Sequence, residues 1–207
     1  MYNASAIKKA VQAFAGIMQE NRELLISLDA QMGDGDLGIY MAAGFAKAAE
    51  AVETSDGLPG DLLVTVGNVI SEEAPSTLGT LIGRAFLKGG KSIQDKQEFG
   101  AEDILTAFEA GVAEIQKRGK AQRGDKTILD ALLPATEAMR AAFNQNLSVS
   151  EMFNAGYVAA CAGLEESKNM MAKFGRPAYF GEKTIGMQDG GATVGMLLFE
   201  ALWKLTK

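Results

Sequence analysis

Histidine is absent from all 207 residues. That absence excludes Ser-His-Asp and Cys-His catalytic units, histidine-ligated zinc and any phosphohistidine relay carried on this chain. Cysteine occurs once, as Cys161 in the Ala-rich stretch AGYVAACAGL, so no disulfide framework is possible and the thiol reads as a core residue. No apolar stretch approaches the roughly 18 residues of a membrane span, and no positively charged start precedes a long apolar run. Neither a span nor a signal peptide is expected, and a cytoplasmic location is the default. No Gly-x4-Gly-Lys-Ser/Thr occurs, and alternating strand-like runs are scarce, so a P-loop fold is excluded. Positive charge is also in deficit: 20 Lys and Arg stand against 26 Asp and Glu, a net charge of −6. An acidic surface argues against nucleic acid as partner. It would also repel a nucleotide's phosphates unless metal ions intervened.

Against these absences stands the stretch LDAQMGDGDLG, residues 28–38, which places Asp29, Asp34 and Asp36 within eight positions, interleaved with glycines. Three carboxylates this close repel one another unless solvent separates them or a cation neutralises them. Glycines between them let the backbone turn sharply enough for the oxygens to converge. Oxygen-only ligands suit a hard ion, and Mg²⁺ held by carboxylates commonly completes its shell with phosphates. A solvated turn is the plainer alternative. A calcium loop fails, because its twelfth position would be Tyr40 or Phe45 rather than a carboxylate.

Elsewhere apolar residues recur at helical spacing, and the fold class is all-α. Eight helices are predicted, over residues 4–25, 38–52, 60–73, 76–89, 101–118, 127–144, 150–172 and 192–205. Pro134 falls near the first turns of the sixth or kinks it. Short connections imply antiparallel neighbours in an up-down barrel or bundle, with residues 1–207 as a single domain. Besides the aspartate loop, two connections are long and distinctive: GKAQRGDK, residues 119–126, and FGRPAYFGEKTIGMQDGG, residues 174–191. The loop after Ser92, by contrast, reads as an ordinary solvated turn. If helices alternate in direction, the aspartate loop, the EEAPST junction near Ala74 and both distinctive connections emerge at one end.

Each connection has a bland reading. GDK reads as a solvated turn in which Asp125 caps the helix that follows, and Arg118 and Arg176 in isolation read as surface charges. QDGGAT could be a flexible helix start, although free N–H groups at a helix N-terminus also bind anions and Gly190 and Gly191 would allow close phosphate approach.

Taken together and in this order, LDAQMGDGDLG, RGKAQRGDKTILDALLPA and GRPAYFGEKTIGMQDGGAT resemble the nucleotide-binding L subunit of dihydroxyacetone kinase, and the likeness covers essentially the whole chain. The resemblance implies an eight-helix antiparallel barrel with ADP or ATP and two Mg²⁺ at one end. By the same resemblance, Asp29, Asp34 and Asp36 are the metal ligands. The implied nucleotide contacts are Leu37, Gly38, Ile39, Tyr40, Glu73, Ala74, Ser76, Thr77, Gly119, Ile128, Arg176, Asp189, Gly190 and Gly191. Ile128 and Leu78 would wall the adenine. No catalytic residue is assigned, beyond Arg176 as a phosphate stabiliser. Three departures stand out: Leu37 and Met187 replace histidines common in the family, and APSTLGT, residues 74–80, replaces an SGPL-type segment. These edges face the incoming acceptor, whereas the aspartates and Arg176 are intact.

The implied partner is a K-type subunit that binds the keto substrate. In one branch of the family a phosphotransferase-system phosphocarrier recharges a tightly held ADP; in another ATP exchanges freely, and both branches stay open for this sequence. The expected role is donation of a phosphoryl group to dihydroxyacetone or a related short ketose or sugar. Two other readings remain at this stage: a nucleotide-dependent regulatory interaction module, and the nucleotide domain of a fatty-acid kinase, which normally carries long C-terminal extensions.

Overall fold

The computed structural model describes residues 1–207 and contains nine α-helices, one 3-10 segment and no strand. The helices are α1 Ala4–Glu20, α2 Arg22–Ala30, α3 Leu37–Glu53, α4 Pro59–Glu73, α5 Thr77–Ser92, α6 Ala101–Gly119, α7 Leu129–Asn144, α8 Val149–Ser167 and α9 Gly190–Thr206; the 3-10 segment is Arg176–Thr184. Each of the eight predicted helices is present, but the first is broken. Asn21 leaves helical geometry at φ −100°, ψ 12°, and its side-chain amide donates to the Ile17 carbonyl at 2.9 Å. The chain re-forms as α2 and runs on to Ala30, so Asp29 sits in a helical last turn rather than in the loop proper. The predicted sixth helix starts two residues later, at Leu129, and the seventh ends at Ser167.

Helix α1 packs on α3, each later helix packs on the next, and α9 returns to α1, so eight helices close a ring. Helix α2 lies outside that ring, against α3 and α9. Glycine sets the closest wall. A Cβ on Gly67 would lie 2.5 Å from the Gly83 carbonyl oxygen, and one on Gly90 would lie 2.6 Å from that of Gly60. Partner numbers fall along α5 as they rise along α4, the signature of antiparallel helices in near backbone contact. These glycines therefore serve packing.

The interior is one cluster of 39 buried residues, so core runs unbroken around the ring. Phe14, Phe45 and Phe86 meet edge-to-face, with centroids 5.8 to 6.0 Å apart. Such burial, at roughly 25 cal/mol per Å² of apolar surface, is the main force holding the ring together. Pro134 lies inside α7, against which α8 is pressed: a Cβ on Gly163 would lie 2.9 Å from the Pro134 ring.

The end where α1 begins is apolar. An apolar cavity of about 480 Å³ opens there, between the α1 start, the connection after α5 and the α9 end, lined by Tyr2, Phe99, Phe153 and Leu205 among others. The connection after Ser92 is not simply solvated, as the sequence reading had it. Ile93 and Phe99 are buried, and Phe99 exchanges backbone hydrogen bonds with Tyr2 at 2.8 and 2.9 Å. Only its middle faces water. No helix is long and apolar enough to cross a membrane.

Candidate functional site

The opposite end gathers the polar loops. Asp29, Asp34 and Asp36 each offer a carboxylate oxygen, and those oxygens all lie within 4.8 Å of one another. Local chemistry explains the convergence. Asp29 Oδ2 accepts from the backbone N–H of Asp36 at 3.0 Å and of Leu37 at 3.3 Å, folding the loop back onto the end of α2. Gly35 takes the left-handed φ of 74° that closes this turn, and a Cβ on Gly33 would stand 2.3 Å from Asp29 Oδ1. Asp36 directly precedes α3 but makes no side-chain cap, so its carboxylate faces the cluster. Burial, and then the charge of Asp29, raise the Asp36 carboxyl above its usual range, opposed by a backbone hydrogen bond.

Arg176 crosses from the third distinctive connection and pairs with Asp34. The connection therefore folds over the aspartates. Its backbone turns at Gly175 (φ 69°) and Gly181 (φ 54°). Its apolar residues Phe180 and Ile185 are exposed, and Tyr179 is 91% exposed.

Helix α9 starts beside the same cluster. Asp189, buried, caps it by accepting from Ala192 N–H at 2.6 Å. Burial pushes the Asp189 carboxyl up to about 6, offset by the Ala192 hydrogen bond and the charge of Lys126, while Asp130 adds to the rise. A Cβ on Gly190 would lie 2.7 Å from Leu37, and one on Gly191 would lie 3.1 Å from the Ile128 nitrogen. The first turn of α9 thus meets the starts of α3 and α7 at one place, through its two glycines. Free N–H groups at such termini attract anions.

The remaining residues singled out by sequence lie at the same end with differing surroundings. Gly38 is buried beneath α2, where a Cβ would lie 2.1 Å from the Arg22 carbonyl oxygen; its bareness allows the α2–α3 crossing. Ile39 is exposed and Tyr40 half-buried. Glu73 ends α4 and Ala74 is buried against Gly44 of α3. Ser76 caps α5 by accepting from Gly79 N–H at 3.0 Å, with Thr77 exposed beside it. Gly119 ends α6 against Leu81. Ile128 is core: only 3% exposed, it packs on Gly195 and lines a small apolar cavity of about 120 Å³, whereas Leu78 is half-buried.

One reading fails outright. The GDK turn is not solvated, for Asp125 is 3% and Lys126 2% exposed. Nor does Asp125 cap the next helix. Asp130, in the first turn of α7, instead folds back on the loop, accepting from Gly124 N–H at 2.6 Å and Thr127 N–H at 2.7 Å, while Thr127 Oγ1 accepts from Leu129 N–H at 3.2 Å. Asp130 follows Thr127 by three residues, a capping-box spacing that could have been read from TILD. Arg118, as one of its readings had it, is a surface charge, paired with Glu114 one turn back.

A family model described as "DAK2 domain" matches residues 31–204, a span that holds Asp34 and Asp36 and begins just after Asp29. The chain is 33% identical over 187 residues to the Escherichia coli K12 protein named "PEP-dependent dihydroxyacetone kinase, ADP-binding subunit DhaL", covering 90% of this chain and 89% of that one. A Listeria innocua protein named "PEP-dependent dihydroxyacetone kinase 1, ADP-binding subunit DhaL" is 34% identical over 91% of this chain and 90% of its own. An "L-erythrulose 1-kinase" of Mycolicibacterium smegmatis is 32% identical over 96% of this chain, which spans only 35% of that longer protein. The crystal structure of the dihydroxyacetone kinase of C. freundii superposes with a TM-score of 0.76 at 23% identity, over 99% of this chain and 35% of that one. That last likeness concerns the fold.

Proposed function

Because the chain belongs to the DAK2-domain family, we propose that it is the nucleotide-holding subunit of a dihydroxyacetone kinase-type phosphotransferase, donating a phosphoryl group to a short ketose held on a separate subunit. One observation carries this reading: three carboxylates converge within 4.8 Å where the first turns of α3 and α9 meet.

The residues present fit Mg²⁺. The donor set is all oxygen, and the loop is shaped around it by Gly33 and Gly35. The cluster already draws a positive group, the Arg176 guanidinium, onto Asp34. Asp29, Asp34 and Asp36 would hold the metal, with two ions as the family resemblance implies. Bound there, Mg²⁺ neutralises and orients polyphosphate oxygens. The chain's own groups do the rest. Asp29 fixes the start of α3 through two amides, leaving its other oxygen free. The α3 and α9 N-termini present N–H groups to phosphate. Arg176 carries a planar two-pronged donor that can serve a phosphate as it now serves Asp34. Catalysis of this kind is positioning plus charge stabilisation, which requires no histidine.

Two things support ADP as a resident group recharged from phosphoenolpyruvate through a phosphocarrier. The relatives matched over about nine-tenths of their own length carry PEP-dependent, ADP-binding names, and a Lactococcus lactis relative, 34% identical, is named PTS-dependent. The exposed Tyr179, Phe180 and Ile185, on the connection that Arg176 ties to Asp34, support a partner that covers this end.

Calorimetric titration with ADP, in Mg²⁺ and after chelation, tests the site. Binding should be tight with metal and vanish without it, because carboxylates and polyphosphate repel. Equal affinity in both conditions would remove the reading. The isolated chain should not phosphorylate dihydroxyacetone with ATP and Mg²⁺, and robust turnover by it alone would refute the division of labour.

A further inference from the structure

Lys126 is the most deeply buried cation in the molecule, at 2% exposure. Lysine rarely goes so deep unless its charge is matched, since an unpaired buried ammonium is costly. Its backbone adds to the cost by standing at φ 59°, a left-handed conformation that favours glycine. Something at this position requires a lysine.

Its bonds show what. Lys126 Nζ donates to the Ser167 carbonyl at 2.7 Å and to the Met187 carbonyl at 2.6 Å. Ser167 ends α8, where helix carbonyls lack intrahelical partners and favour a cation. Met187 lies two residues before Asp189, the cap of α9. Asp189 and Asp130 supply the opposing charge, while burial lowers the ammonium's pKa. The neighbour, Asp125, accepts from Lys173 Nζ at 2.7 Å and, through its carbonyl, from Lys173 N–H at 3.2 Å. Residues 168–188 are otherwise bonded mainly to themselves and their flanking helices, as by Gly186 N–H to Lys168 O at 2.7 Å and Ala172 N–H to Thr184 Oγ1 at 2.9 Å. Their hydrogen bonds and ion pairs to the rest of the molecule are made with Asp125, Lys126 and, from Arg176, Asp34. The second distinctive connection is thus the fastener of the third.

Lys126 touches none of the three aspartates. What it fixes is the approach to α9, whose Gly190 and Gly191 abut Leu37 and Ile128. We propose that Lys126 is a positioning residue for the nucleotide site: a buried cation that clamps the Ser167 and Met187 carbonyls and so holds the α9 N-terminus and the Arg176 segment in register with the aspartate loop. This rests on the nucleotide reading above.

The test compares Lys126→Met, Lys126→Gln and Lys126→Arg with the wild-type chain by Mg-ADP calorimetry and amide hydrogen exchange. The Met variant keeps bulk but no donor; the Gln variant keeps a donor but no charge. Each should fold and lose about fivefold or more in affinity, a change well above the usual scatter between independent sites. Exchange at the Ala192 and Thr193 amides should quicken while amides of α4 stay as slow as in wild type. Lys126→Arg should recover most of the affinity, because it restores charge and donors. A folded Met or Gln variant that loses less than this overturns the inference. So does an Arg variant no better than Met, or exchange that quickens everywhere alike. If neither the Met nor the Gln variant folds, the lysine serves the whole fold, and the inference is again overturned. Failure of the wild-type chain itself to bind Mg-ADP is a different result, which removes the nucleotide reading first.

Discussion

The two ends of the barrel solve opposite problems. At the end where α1 begins, Tyr2 and Phe99 pair, Ile93 is buried, and an apolar cavity lies beneath them. Stability there comes from removing hydrocarbon from water. At the other end, four polar loops gather three carboxylates, an arginine and the first turns of three helices. Like charges held within 4.8 Å destabilise a fold at neutral pH. The barrel wall offsets that cost. Substitutions in the wall should therefore damage stability and leave the ligand-free geometry of surviving molecules alone. Those among the aspartates should do the reverse.

The largest effect expected is in the wall. Phe45 is fully buried and meets Phe14 and Phe86 edge-to-face. Phe45→Ala should cost about 3–5 kcal/mol of unfolding free energy, read as a lowered denaturation midpoint. Mg-ADP affinity of the folded fraction should stay near wild type. If affinity fell in parallel, the two ends would not be separable.

Next comes the cluster. Asp34→Asn or Asp36→Asn should weaken Mg-ADP binding by well over tenfold, about 1.4 kcal/mol. Unfolding without ligand should become no easier, since one of three mutually repelling charges is gone. A smaller loss of binding from both replacements would reduce the cluster to a turn.

Much of this was legible in advance. Eight amphipathic periods mark the eight ring helices, and loop parity places the distinctive connections at one end. The break at Asn21 was not, because Ile17, Met18 and Leu25 keep a helical rhythm across it and neither proline nor glycine marks it. The burial of Lys126 was hidden for a different reason. Its acceptors lie 41 and 61 residues away, so nothing local distinguishes it from a solvated lysine. Phe99 was likewise misread because its partner, Tyr2, is at the far end of the sequence. Local signals reveal what local chemistry decides. The aspartate loop was readable because its carboxylates and its turns share a few consecutive residues.

A smaller effect concerns pH. Asp189 titrates at about 6 in the fold, against an ordinary value of 3.8. A raised carboxyl binds its proton more readily in the folded than in the unfolded chain, so its contribution to stability is greatest at low pH and falls as pH rises from about 4 to about 6. Lys126 and Asp130 face it and shape that window. Other carboxyls, Asp103 and Asp125 among them, are lowered and slope the opposite way. The clean measurement is therefore a difference. Denaturant midpoints of the wild type and of Asp189→Asn, compared across pH 4–7, should differ by an amount that changes through this window and levels off above about 6. A constant difference would mean that Asp189 does not titrate there.

The smallest effect on stability belongs to Arg176, and it separates the two kinds of work most finely. Its pair with Asp34 is exposed on both sides, and exposed pairs contribute little, about 0–1 kcal/mol. Arg176→Lys keeps the charge and removes the planar fork. The ligand-free melting temperature should stay close to wild type, within the roughly 0.5 kcal/mol typical of surface changes. If the guanidinium exchanges Asp34 for a nucleotide phosphate, the extra stabilisation conferred by saturating Mg-ADP should drop clearly, because ligand stabilisation follows affinity and a point charge cannot replace a bidentate donor. A lysine variant that gains as much from Mg-ADP as the wild type would leave Arg176 as a latch on the aspartate loop alone. The third connection would then cover the carboxylates without touching what they hold.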